Sequence, residues 1–180
     1  MTADVMSAAL IARAQKIRLI AFDVDGIMTD GTLFLADDGL EYKGFNSLDG
    51  HGLKMLKSSG VQLAIITGRS SRVVEQRAHN LGIDIVHQGA HDKLAVYEAL
   101  CREFDIACEA TAYMGDDVVD LPVMRRAGLA ISVPAAPELV KAHSHYITTR
   151  QAGHGAVREA CEFLMRAQGT LDAALAPYLK

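Results

Sequence analysis

At 180 residues the chain has the length of one domain, at roughly 150 residues per domain, and is long enough to bury a real core. A composition of 50% hydrophobic and 22% charged residues excludes disorder as the main theme, and a net charge of −4 argues against a surface that coats nucleic acid. No apolar run approaches the roughly 20 residues of a membrane span, and Cys101, Cys108 and Cys161 lack the spacing of a disulfide framework or zinc site, so a reducing cytoplasm is the expected setting.

Residues 1–17 read as an N-terminal helix and not a leader, since an acidic residue comes early and no long apolar stretch follows. The short apolar run 18–22 predicts a buried strand. Residues 32–45 hold two β-prone runs around Asp37-Asp38-Gly39, a hairpin signal. A helix is expected over 49–59, stopped by Gly60, and a strand over 61–66. A helix over 70–80 ends at Gly82; a strand at 83–88 and a helix at 91–104 follow. Then come strand 111–115, a short helix 118–127, strand 129–133, helix 136–143, strand 145–148 and helix 155–168. Residues 169–180 read as a flexible tail. Strands separated by such helices imply right-handed βαβ units, hence an α/β, doubly wound, Rossmann-like parallel sheet with a β-hairpin insert after its first strand. The whole of 1–180 reads as a single domain.

In such sheets the ligand lies beyond the carboxyl ends of the strands. The residues found there are Asp23 and Asp25, then Thr67 and Arg69, then Lys93 opening a helix, then Asp116, Asp117 and Asp120. Clustered carboxylates repel one another, and a hard cation such as Mg²⁺ relieves that repulsion. The chemistry this suggests is phosphoryl transfer. Asp23 is the candidate nucleophile, Asp25 the acid and base, and Thr67 and Lys93 the groups that hold the phosphoryl oxygens.

DVDG with Asp30, TGR at 67–69, Lys93 and GDDxxD at 115–120 resemble, in order, the four motifs of haloacid dehalogenase superfamily phosphatases. The resemblance implies that Asp23, the backbone carbonyl of Asp25, and Asp116 hold Mg²⁺, with Asp117 and Asp120 as orienting groups. The longer stretch IRLIAFDVDGIMTDGTLFLADDGLEYKGFNSLDGHGLK and the late GHGAVRE are similar to the 3-deoxy-D-manno-octulosonate 8-phosphate phosphatase family. That family is capless and usually tetrameric, and it hydrolyses a phosphorylated eight-carbon sugar acid in lipopolysaccharide biosynthesis. It implies substrate contacts at Asp25, Asn46, Ser47, Leu48, Asp49, Gly50, Lys54, Arg69, Arg77 and Lys93. Leu48 stands where some relatives carry a basic residue, and Lys54 where some carry arginine.

Blander readings stand beside these. Arg69 and Arg77, eight apart, could share a solvated helix face; Lys54 could be a surface lysine, and Asp30 a hairpin cap. The histidines form no metal-binding array. A nine-carbon sialic-acid-type phosphate is the alternative substrate. A phospho-accepting receiver module is the rival of another class, although its lysine would come last and Lys93 precedes GDDxxD here. Only 41 residues, 26–66, separate Asp25 from Thr67, too few for a covering domain. The expectation is therefore an oligomer, on the resemblance a homotetramer, whose 32–45 hairpins cover neighbouring active sites.

Overall fold

The structure is a computed structural model and describes residues 7–180. Helix α1 spans Ala8–Ala14, its first turn capped by the Ser7 hydroxyl accepting from the Leu10 amide; the earlier part of the expected 1–17 helix lies outside the described residues. Strand β1 is Leu19–Phe22, and all four of its residues are buried. Continuous burial is what a strand covered on both faces requires, which explains why RLIAF runs apolar without alternation. After the hairpin strands β2 (Phe34–Leu35) and β3 (Glu41–Tyr42) come α2 (Ser47–Ser58), β4 (Gln62–Ile66), α3 (Arg72–Leu81), β5 (Ile85–His87) and α4 (Lys93–Glu103). The second half holds β6 (Thr111–Met114), α5 (Leu121–Met124), β7 (Leu129–Ser132), α6 (Glu138–Ala142), β8 (Tyr146–Ile147), α7 (Ala156–Ala167) and α8 (Leu171–Leu175).

Six strands form one parallel sheet in the order β5-β4-β1-β6-β7-β8. From β1 the chain winds outward through β4 to β5, then returns across β1 to β6 and winds the other way. Right-handed crossovers put α2 and α3 on one face and α4, α5 and α6 on the other. The reversal leaves a crevice at the carboxyl end of β1, between β4 and β6. Phe22 is level with Ile65 on one side and Met114 on the other, so the residues just past each strand emerge at one height.

The hairpin is present but smaller than the 32–45 expectation. Only two residues pair on each side, Phe34 with Tyr42 and Leu35 with Glu41. The turn is a five-residue loop closed by Ala36–Leu40 bonding, with Gly39 at φ +82° and the Asp38 carboxylate accepting from the Leu40 amide. Expected helix 118–127 is split: a 3₁₀ turn, Val118–Asp120, precedes α5, because Asp117 caps the turn and Pro122 favours a fresh helical start. Residues 169–180, expected as a flexible tail, instead carry α8 and a 3₁₀ turn, Ala176–Tyr178. Leu171 is buried there and α8 packs on α7. The apolar spacing of Leu171, Ala174 and Leu175 supplies that face.

Candidate active site

Asp23 follows β1 directly, its amide still in the sheet ladder to the Met114 carbonyl at 3.0 Å. Thr67 follows β4 with its amide bonded to the His87 carbonyl at 2.9 Å, and Asp116 follows β6 by two residues. Lys93 is the first residue of α4, whose N-cap is Asp92. Sheet register and one helix start therefore bring together four residues that are up to 93 positions apart in sequence.

The geometry is dense in charge. Lys93 Nζ lies 3.0 Å from Asp23 Oδ1 and 2.7 Å from Asp120 Oδ1. Asp120 is fully buried and also accepts from the Tyr113 hydroxyl at 2.7 Å and from the Asp116 and Asp117 amides at 3.1 and 3.2 Å. Burial, then repulsion from Asp120, raises the Asp23 pKa to about 6 against the pull of Lys93. Burial, then repulsion from Asp23 and Asp120, raises that of Asp116 to about 7. Burial alone would depress the Lys93 pKa, but Asp23 and Asp120 outweigh it and raise it. Gly26, at φ +91°, is required here: a Cβ at that position would lie 2.1 Å from Asp116 Oδ2.

One oxygen of Asp23, one of Asp116 and one of Asp120 lie within 4.8 Å of one another. Asp116 Oδ1 is buried with no hydrogen-bond partner among the described residues. A buried carboxylate oxygen without a donor, next to a second carboxylate, fits a hard divalent cation. Asp120 already has its four lone-pair sites filled, so Asp23 and Asp116 are the side chains free to hold such an ion.

Asp23, Asp25, Thr67, Gly68, Arg69, Ala90, His91, Lys93 and Val119 line a cavity of about 230 Å³. Asp25 sits at its mouth, paired with Lys43, and Arg69 Nε lies 3.7 Å from its other oxygen. Glu41 bridges the two cations, at 3.2 Å from Lys43 and 3.0 Å from Arg69. Glu41 and Lys43 were missed as site residues in the sequence, although an i, i+2 spacing on an extended segment puts both on one face. His91 and Val119 were missed as well; no spacing marks them.

The other expected substrate contacts lie elsewhere. Asn46 caps α2, accepting from the Leu48 and Asp49 amides, and donates to the Gly153 carbonyl at 3.2 Å. Buried Asp49 accepts from the Arg158 and Gly155 amides at 2.8 and 3.3 Å, capping α7. Arg77 donates to the Asn46 carbonyl at 3.1 Å and lies over the Phe45 ring, against Gly50. Arg69 and Arg77 do not share a helix, contrary to expectation. Ser71 is extended and its amide donates to Gln88 Oε1, so α3 begins only at Arg72 and Arg69 is left in the site loop. Ser47 and Leu48 are exposed, and Lys54 lines a separate cavity of about 440 Å³ with His51 and Tyr178.

The family model for haloacid dehalogenase-like hydrolases matches residues 39–128. The Escherichia coli K12 3-deoxy-D-manno-octulosonate 8-phosphate phosphatase KdsC is 43% identical over 94% of this chain and 90% of its own length. The chain belongs to this phosphatase family of haloacid dehalogenase-like hydrolases. Among solved family structures, the Moraxella catarrhalis 3-deoxy-D-manno-octulosonate 8-phosphate phosphatase was obtained with magnesium ion, phosphate ion and the sugar acid. It matches with a TM-score of 0.92 at 47% identity, over 94% of this chain and 97% of that one. The cobalt-bound Haemophilus influenzae family member matches with a TM-score of 0.89 at 34% identity, over 93% and 99%.

Proposed function

We propose that the protein is a Mg²⁺-dependent phosphatase that converts 3-deoxy-D-manno-octulosonate 8-phosphate to the free sugar acid and inorganic phosphate, a step of lipopolysaccharide biosynthesis. The observation that carries the reading is the convergence of Asp23, Asp25, Thr67, Lys93 and Asp116 at one sheet edge in a family member with near full-length similarity to such phosphatases.

In this reading an oxygen of Asp23 attacks phosphorus and the ester P–O bond breaks. Asp25 donates its proton to the departing sugar oxygen. Asp25 then takes a proton from water, whose oxygen attacks phosphorus, and the Asp23–phosphorus bond breaks to release phosphate. Lys93, held by two carboxylates, and the buried Thr67 hydroxyl hold the phosphoryl oxygens. Lys43 and Arg69 fix Asp25 at the mouth. Asp23, the Asp25 backbone carbonyl and Asp116 would hold Mg²⁺, which when bound supplies charge neutralisation among carboxylates and phosphoryl oxygens. The expected substrate contacts Asn46–Gly50, Lys54 and Arg77 do not line this cavity, and in our reading Ser47, Leu48 and Lys54 reach substrate across subunits. No described helix is long and apolar enough to cross a membrane, and we place the enzyme in the cytoplasm as a homo-oligomer, on the resemblance a tetramer.

Phosphate release should be measured on sugar acid 8- and 9-phosphates, hexose phosphates and phosphoserine. The 8-phosphate is expected to be preferred, EDTA to abolish turnover, and Asp23→Asn to lower kcat by at least about 10³-fold. Preference for hexose phosphates would overturn the substrate, and full activity of Asp23→Asn the mechanism.

A further inference from the structure

Tyr113 stands in the middle of β6, fully buried, with its hydroxyl 2.7 Å from Asp120 Oδ1. It enters none of the steps above. A buried phenol needs a partner, but the choice of partner here has consequences for the site. Asp120 is one of three carboxylates that converge, and the two others are needed for a cation. Its Oδ2 is taken by the Asp116 and Asp117 amides, which fix the loop carrying Asp116. Its Oδ1 is taken by Lys93 and Tyr113 together. Without the phenol, Oδ1 would keep an unfilled lone pair in a buried pocket shared with Asp23 and Asp116, and one donor fewer would hold the carboxylate that anchors Lys93.

We infer that Tyr113 is a positioning residue for this reaction: by filling the fourth lone pair of Asp120 it keeps that carboxylate on Lys93 and withholds it from the metal centre. Two carboxylates with phosphate oxygens and water suit Mg²⁺, whereas a third available carboxylate favours Ca²⁺, which takes more oxygens at longer distance. Tyr113 thus contributes to the choice of cation as well as to the placement of the lysine. This rests on the metal-dependent phosphatase reading of the site.

The test is Tyr113→Phe, which keeps the ring and removes the donor. Mg²⁺ and Ca²⁺ affinities are measured by calorimetry without substrate, and kcat and KM on p-nitrophenyl phosphate. The comparator is Tyr97→Phe, another fully buried tyrosine, whose hydroxyl meets Thr111 Oγ1 at 2.5 Å away from the carboxylates. Tyr113→Phe is expected to raise Ca²⁺ affinity relative to Mg²⁺ by about fivefold, because a third oxygen donor becomes available. It should lower kcat by about tenfold with KM little changed, because a group acting mainly in the transition state is displaced. Tyr97→Phe should change neither, whatever it does to melting temperature. Equal metal ratios and kcat in wild type and Tyr113→Phe would overturn the inference and leave the hydroxyl a fold contact. Should Tyr113→Phe fail to fold, 3-fluorotyrosine at 113, a stronger donor, must move the Ca²⁺ to Mg²⁺ ratio the opposite way; an unchanged ratio would overturn the inference equally. A wild type that binds Mg²⁺ and hydrolyses p-nitrophenyl phosphate but no sugar-acid phosphate would sink the substrate and leave this inference standing.

Discussion

Asp116 is the residue at which the electrostatic cost of the site is greatest. Its Oδ1 is buried without a partner among the described residues, and burial with two neighbouring carboxylates raises its pKa to about 7 from 3.8. The sign of the consequence follows by linkage. A carboxyl whose folded pKa lies above its unfolded value costs nothing below pH 3.8, where it is protonated in both states. The cost grows as pH rises and is complete above about 7. In EDTA, Asp116→Asn should therefore stabilise the protein at pH 8, by about 2 kcal/mol after allowance for solvent screening, and hardly at all at pH 4. The same substitution should abolish the rise in melting temperature that Mg²⁺ gives the wild type. Differential scanning calorimetry at the two pH values, with EDTA and with Mg²⁺, measures both; an Asn variant less stable than wild type in EDTA at pH 8 would refute the repulsion argument. The aspartates were legible in the sequence because each follows a strand in chain order. Lys43 was not, since its reach to Asp25 depends on how the hairpin folds back over the β1 loop.

At the scale of elements, residues at the start of α2 that were expected to meet substrate also hold the fold together. Asn46, Asp49, Gly50 and Arg77 form a bracket tying α2 to α3 and α7. The N-cap of helix α7 is Gly155, which has no side chain to offer, and the Asp49 carboxylate from α2 accepts from the Gly155 and Arg158 amides in its place. A long-range cap of this kind leaves no local signal, because its partner is more than a hundred residues away. Asp49→Ala should lower the melting temperature by about 3–6 °C, the loss of a cap in a chain of this length. Its kcat at a temperature where the variant is folded should stay within about twofold of wild type, since surface or cap changes away from the chemistry act on stability. Thermal denaturation paired with steady-state kinetics checks this; a large rise in KM with an unchanged melting temperature would restore Asp49 as a substrate contact. Strands and long helices were legible because burial on two faces and 3.6-residue periodicity both write themselves into composition. The α8 tail and the split at 118–124 were not, since each is a few residues long and depends on a cap or on packing against α7.

For the whole molecule the issue is what covers the site. The reversal of winding at β1 fixes where the crevice is, and the 41 residues between Asp25 and Thr67 are too few to hold a covering domain. What those residues do supply is a hairpin tied to the active site through Lys43 and Glu41, with an acidic turn at Asp37-Asp38 and exposed apolar side chains on its two arms. Phe34, Leu35 and Tyr42 are 53%, 68% and 62% exposed, together with Leu33 and Leu40. Large apolar side chains exposed on both arms of one short hairpin are a poor fit to water, and a concentration of this kind marks an association surface. A symmetric oligomer would bury this patch, and a hairpin anchored at one site and packed against another subunit would exclude water from both. Replacing Leu35 and Phe34 with aspartate should therefore convert an oligomer to monomers in sedimentation velocity. The same double variant should lose about 10²-fold in kcat/KM on the sugar-acid phosphate, whose distal end needs positioning. Hydrolysis of p-nitrophenyl phosphate, which asks only for Asp23, Asp25, Thr67, Lys93 and the metal, should be little changed, because Asp25 keeps its own pairs with Lys43 and Arg69. A wild type that sediments as a monomer while retaining selectivity, or a double variant that stays assembled, would show that the crevice is covered in another way.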